Sequence, residues 1–128
     1  MKSKDIGLVL SGGGFNAFTF IGAIQLLEEI ECLHKINTFV GTSAGGFLCM
    51  LLWIGIPIKA IVEFCNDVSI LQCFSMINMN LNDITSNTYG VLDTQHIKNK
   101  LSQLISIYYH ADVTLYEVYI HTLKKCTI

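Results

Sequence analysis

Gly41-Thr42-Ser43-Ala44-Gly45 is a G-x-S-x-G pentapeptide between a short β-type run, Thr38-Phe39-Val40, and a long apolar run of helical length. A serine on such a strand-to-helix turn sits in strained backbone geometry, so the residues two positions away on either side must be small. Gly41 and Gly45 meet that need. The turn lifts the hydroxyl out of the sheet, and the helix that follows begins with free N–H groups aimed at developing negative charge. Glycine-rich strand ends produce the pentapeptide by chance, so context decides. The strand before, the helix after and a second glycine-rich loop upstream make Ser43 the candidate nucleophile.

That upstream loop, Ser11-Gly12-Gly13-Gly14, closes the continuous apolar run Ile6-Gly7-Leu8-Val9-Leu10. The run has strand length and the pattern of a strand buried on both faces. Glycines at its end let the backbone turn tightly and approach a ligand closely. A helix is expected from about Phe15 to Cys32, with Phe20, Ala23, Ile24, Leu27 and Ile30 at helical spacing and Glu28, Glu29 and Glu31 marking a solvated end. The order strand, glycine loop, helix, strand, elbow, helix implies an α/β fold with a parallel sheet covered by helices.

Downstream, Ala44 to Ile54 is apolar all round, as in an enclosed helix. Gly55-Ile56-Pro57 breaks it, and Pro57 is placed to open a further helix through Asn66. Residues 67–90 read as a hydrophobic satellite or a lipid-facing cap. A helix is expected from Thr94 to Tyr108, with Ile97, Leu101, Leu104 and Ile105 on one face. Another runs from Thr114 to His121, where Thr114 is a cap and Glu117 holds the capping-box position. Lys124 to Ile128 reads as the beginning of a further strand.

The 128 residues suit one domain with a real core, spanning residues 1–128. With 52% apolar and 14% charged residues, the composition excludes a disordered chain and points to one that hides much of itself inside a larger unit or against a surface. Net charge is −2 and every basic residue is lysine, so there is no basic stripe or arginine fork for nucleic acid. The N-terminus lacks the apolar core of a signal peptide, which makes secretion unexpected. The longest apolar run, Phe47 to Ile56, is half of the roughly 20 residues a membrane span needs. A cytoplasmic protein, peripheral at membranes, is the expectation. Cys32, Cys49, Cys65, Cys73 and Cys126 have no metal-ligand spacing and read as buried, reduced thiols. No metal or cofactor is implied.

Ester hydrolysis needs a nucleophile, a base to take its proton and donors for the oxyanion. Ser43 fills the first role, and the backbone N–H groups of Gly13 and Gly14 fill the last, with Ala44 N–H assisting. Adjacent parallel strands bring both loops to their carboxyl ends, where open α/β sheets place their sites. A phosphate loop would need Gly-Lys-Ser/Thr, which is missing. A dinucleotide loop matches Gly12-Gly13-Gly14-Phe15-Asn16-Ala17 as G-x-G-x-x-A, but wants an acid at the end of the second strand, where Thr42 and Ser43 stand.

Leu10-Ser11-Gly12-Gly13-Gly14 followed by a helix and then Gly41-Thr42-Ser43-Ala44-Gly45-Gly46 resembles the start of the patatin-like phospholipase family. The resemblance implies that the glycine loop (Gly12, Gly13, Gly14) is the oxyanion hole, that Gly41, Ala44 and Gly45 shape the elbow, and that Ser43 attacks an acyl ester of a lipid. It also implies a base that is an aspartate in a D-G-G/A motif on a later strand. Tyr89-Gly90-Val91-Leu92-Asp93, Thr114-Leu115-Tyr116-Glu117 and Cys126-Thr127-Ile128 resemble later family segments, the last two preceding the aspartate region. By that measure the chain is expected to be the N-terminal portion of the domain, truncated before the strand carrying the catalytic aspartate. Two departures stand out. The family usually has arginine or lysine followed by glycine where this chain has Asn16 and Ala17. None of Asp5, Asp67, Asp83, Asp93 or Asp112 precedes a glycine.

Two alternatives follow. An internal Ser-Asp-His arrangement would use Asp93 with His110 or His121, in the chain order of other hydrolases. A non-catalytic module would keep the fold and bind lipid or a partner, with its unpaired sheet edge open to oligomerisation.

Overall fold

A computed structural model describes residues 5–67, 95–110 and 112–128. Three parallel strands form one sheet in the order β1-β2-β3: β1 is Gly7–Leu10, β2 is Thr38–Gly41 and β3 is Lys125–Thr127. Their register aligns Leu8 with Phe39 and Phe39 with Cys126. Asn37 fixes the amino-terminal edge of that register. Its side-chain oxygen accepts from Ile6 N–H (3.1 Å), its amide donates to Asp5 (2.8 Å), and its carbonyl accepts from Lys125 N–H (2.9 Å).

Five α-helices lie among the described residues: α1 (Phe20–Glu29), α2 (Ser43–Trp53), α3 (Ile58–Asn66), α4 (Gln95–Ser106) and α5 (Leu115–Thr122). The expected order and the α/β class are therefore present, and β3 is the strand expected at Lys124 to Ile128. The expected cap at 67–90 and the Tyr89–Asp93 segment lie outside the described residues, apart from Asp67.

Helix α2 packs on the sheet face that carries Leu10, Phe39 and Gly41. A Cβ built on Gly41 would fall 2.6 Å from Gly46 Cα, and one on Gly46 would fall 2.7 Å from Ile128 Cγ2. Helix and sheet thus meet backbone to backbone at the elbow, which only glycines at 41 and 46 permit. Further along α2, Leu48, Cys49 and Leu51 are fully buried against Phe39, Ile61 and Cys65. The all-round apolar character read from the sequence matches a helix enclosed by sheet and α3. Its carboxyl end is tied to β3, because Trp53 Nε1 donates to the Lys124 carbonyl at 2.8 Å. Tyr109 Oη donates to the Ile54 carbonyl beside it.

Two expectations need correction. Strand β1 is buried on one face, not two: Leu10 is buried, whereas Val9, which points the other way, is 72% exposed. A continuous apolar run does not report which face a neighbouring layer covers, and among the described residues α2 covers the Leu10 face. The helix from Phe15 to Cys32 is also two pieces. Gly14 takes φ +55°, and residues Gly14–Thr19 form a 3-10 turn before α1 begins at Phe20. Asn16 N–H bonds to Gly13 carbonyl and Thr19 Oγ1 to Asn16 carbonyl (2.7 Å), tightening the turn beyond α-helical spacing.

The capping box at α5 is present as read. Thr114 Oγ1 accepts from Glu117 N–H (3.3 Å), and Glu117 Oε2 accepts from Thr114 N–H (2.7 Å). Thr114→Ala should destabilise the fold by about 1 kcal/mol, read by thermal melting. These bonds from Thr114 hold the Glu117 carboxyl below its ordinary range. A lowered folded-state pKa gives stability that is present above the unfolded value and is lost as pH falls through the folded one. The penalty of Thr114→Ala should therefore shrink in acid.

Candidate active site

The elbow is built from a strained serine between two obligatory glycines. Ser43 takes φ +53°, in the left-handed region where a non-glycine residue costs about 1–2 kcal/mol. A Cβ on Gly45 would collide with the Ser11 carbonyl oxygen and lie 2.7 Å from the Leu10 carbonyl oxygen. The absence of that Cβ lets the first turn of α2 slide under the end of β1, which brings the glycine loop against the serine. A Cβ on Gly12 would lie 3.2 Å from Ser43 Cβ.

Thr42 fixes this approach, a role the sequence reading did not assign. It occupies the position before α2, where a threonine ordinarily caps the first turn. Here no side chain caps that turn, and Thr42 Oγ1 instead accepts from Gly12 N–H at 2.9 Å. Thr42 N–H donates to the Leu10 carbonyl at 3.2 Å, extending the β1–β2 ladder to the elbow. Two consequences follow for the expected donors. The Gly12 N–H is committed to Thr42, whereas those of Gly13 and Gly14 have no hydrogen-bond partner among the described residues. Ala44 N–H, in the uncapped first turn of a helix with its positive dipole end at Ser43, remains open in the same way.

Ser43 and Gly12 to Gly14 are exposed, while Ala44, Gly45 and Gly41 are buried beneath them. Ser43 and the glycine loop thus lie at the surface, at the carboxyl end of the sheet, on a packed base. That geometry suits attack on a carbonyl carbon whose oxygen is received by backbone N–H groups.

The histidines and the serine are not brought together as the internal triad requires. His121 packs edge-on against Tyr109, ring centroids 5.9 Å apart, in a cavity lined by Trp53, Ile54 and Lys124. It therefore lies at the carboxyl end of α2, and the 11 residues of that helix put Ser43 about 15 Å away. Chain order alone could not reveal this, because α5 runs into the amino-terminal end of β3, the edge opposite the elbow. His110 faces Glu117 at 3.8 Å, beside Leu101 and Ile105 of α4. Asp93 lies outside the described residues. Asp67 is ion-paired to Lys100 at 2.8 Å, and Asp112 is exposed in the turn before α5.

The buried thiols of Cys49 and Cys65 are poor nucleophiles. Cys49 donates to the Val40 carbonyl at 3.3 Å; burial first, then Cys126, push its pKa up to about 11. Burial pushes Cys65 up to about 12. Neither carries thiolate at neutral pH, so iodoacetamide should modify Cys49 and Cys65 only after unfolding. Mass-spectrometric mapping checks this, and rapid alkylation of the folded chain at either position would refute the burial account. Among the described residues no His, Cys, Asp or Glu group could hold a metal ion, and no helix is long and apolar enough to cross a membrane.

The family model described as patatin-like phospholipase matches residues 8–115, from β1 to the first residue of α5. The chain is 33% identical over 94 residues to a protein of Invertebrate iridescent virus 6 named "Probable lipid hydrolase 463L". The match covers 70% of this chain and 30% of that relative, so the chain spans a minor part of its length. No solved structure gives a significant match.

Proposed function

This chain belongs to the patatin-like phospholipase family, and on that premise we propose that it is a serine acyl hydrolase acting on lipid esters. Ser43 is the nucleophile, and Gly13 and Gly14 N–H, with Ala44 N–H, receive the oxyanion. The observation that carries the reading is the serine's left-handed φ of +53° directly beside the glycine loop, 3.2 Å from the Cβ that Gly12 lacks. A packing role for residue 43 would not require a non-glycine side chain in that conformation, or its exposure.

In the proposed reaction Ser43 Oγ attacks the ester carbonyl and its proton passes to a base. The carbonyl oxygen takes the negative charge between the loop amides. Collapse of the tetrahedral intermediate expels the alcohol and leaves an acyl-serine that water hydrolyses to the fatty acid. By family resemblance the base is an aspartate.

A second reading has its own support: among the described residues Ser43 Oγ has no hydrogen-bond partner. On that reading the fold is retained as a lipid-binding or partner-binding module, with oligomerisation through a sheet edge. Fatty-acid release from phosphatidylcholine vesicles and from a neutral acylglycerol emulsion separates the two. Release that Ser43→Ala removes supports the hydrolase. Vesicle binding that persists in Ser43→Ala, without release by either protein, supports the module.

A further inference from the structure

A groove of about 350 Å³ opens between the 3-10 turn Gly14–Thr19, α1 and α3, beginning at the residue that follows the glycine loop. Phe15, Phe18, Ile21 and Val62 line it together with the polar Thr19, Gln25 and Asn66, Cys65 lies buried at its base, and no charged side chain lines it. The Phe15 and Phe18 rings stand edge-on, centroids 6.0 Å apart, and Phe15 is half exposed. Gly22 of α1 also faces the groove, and a Cβ built there meets nothing within 4 Å. A glycine within a helix costs up to about 1 kcal/mol relative to alanine, and Gly45 and Gly46 of α2 offset that cost with close backbone contact, whereas Gly22 stands in the first turn of α1. Gly22 has no such contact. What its missing side chain leaves is space.

We propose that this groove receives the acyl chain of the substrate ester, with Gly22 keeping its floor open. The inference rests on the hydrolase reading for the identity of the occupant. The 3-10 turn supplies the link, because it carries the chain from Gly14, a proposed oxyanion donor, directly to Phe15, which lines the groove. An ester held with its oxygen at Gly13 and Gly14 has this groove beginning one residue away. Most of the lining suits an extended hydrocarbon, with aromatic and β-branched walls, a buried thiol at the base and no charge to desolvate, while Thr19, Gln25 and Asn66 are its polar members. An unlined, exposed helix face would instead carry polar side chains at position 22.

The test is a fluorescence titration with the polyene fatty acid cis-parinaric acid, which requires no turnover. It is made on the intact chain and on Gly22→Ala, Gly22→Leu and Gly22→Phe. Since nothing lies near the Cβ, the variants should melt at or above the wild-type temperature. Affinity should fall in the order Ala, Leu, Phe, with leucine weakening binding about tenfold, the equivalent of displacing about two methylenes of contact. Undiminished affinity in a folded Gly22→Phe protein, or no binding by the wild type, would overturn the proposal. Failure of the Ser43 chemistry would show in hydrolysis and leave this titration unchanged, so the two failures are distinguishable.

Discussion

Replacing Gly45 by alanine should destabilise this protein by about 3 kcal/mol or more, lowering the melting temperature by about 10 °C. In an ordinary helix the same change is favourable by about 1 kcal/mol, because alanine is the better helix former. The sign reverses here because the new methyl group would strike the Ser11 carbonyl oxygen and stand 2.7 Å from the Leu10 carbonyl oxygen. Neither obstacle is a flexible side chain that can rotate aside. Helix α2 would have to lift from β1, breaking contact between the enclosed helix and the sheet. Gly41→Ala should behave similarly, against Gly46 Cα at 2.6 Å. Gly22→Ala is the internal control and should stabilise by about 1 kcal/mol. If Gly45→Ala and Gly22→Ala shift stability equally, the elbow is not packed as described.

The second large effect concerns Ser43. Ser43→Ala should lower the rate of ester hydrolysis by at least about a thousandfold, leaving what the oxyanion donors alone supply. The fold should not suffer. Ser43→Gly sharpens the point, because glycine adopts φ +53° without strain. It should raise stability by about 0.5–1 kcal/mol, less than the full strain because glycine also enlarges the unfolded ensemble, and abolish hydrolysis. Loss of activity with a gain in stability is the signature of a strained residue held for chemistry. Loss of both would mark Ser43 as structural.

Much of this was legible in the sequence because the features are local. Gly41 and Gly45 flanking a serine, Pro57 ahead of α3, and Thr114 with Glu117 at α5 are each set by backbone geometry within a few residues. The parallel order followed from alternation of strand and helix. What was not legible is non-local. The exposure of Val9 depends on which sheet face α2 covers. Thr42 looks like an ordinary cap until Gly12 is seen 2.9 Å from its hydroxyl, thirty residues away in sequence. His121 satisfies the chain order of a triad, and only the direction of α5 into β3 removes it from the serine. The groove at Gly22 leaves no trace in periodicity, since a helical glycine looks the same whether it faces solvent or a binding surface.

The account turns on whether Ser43 is an activated nucleophile, and covalent labelling asks that directly. A fluorophosphonate probe should label the folded chain at Ser43, identified by peptide mapping, and should fail to label Ser43→Ala or the denatured wild type. Labelling that survives Ser43→Ala, or a folded wild type that stays unlabelled, would contradict the claim and leave the chain a binding module built on a hydrolase fold.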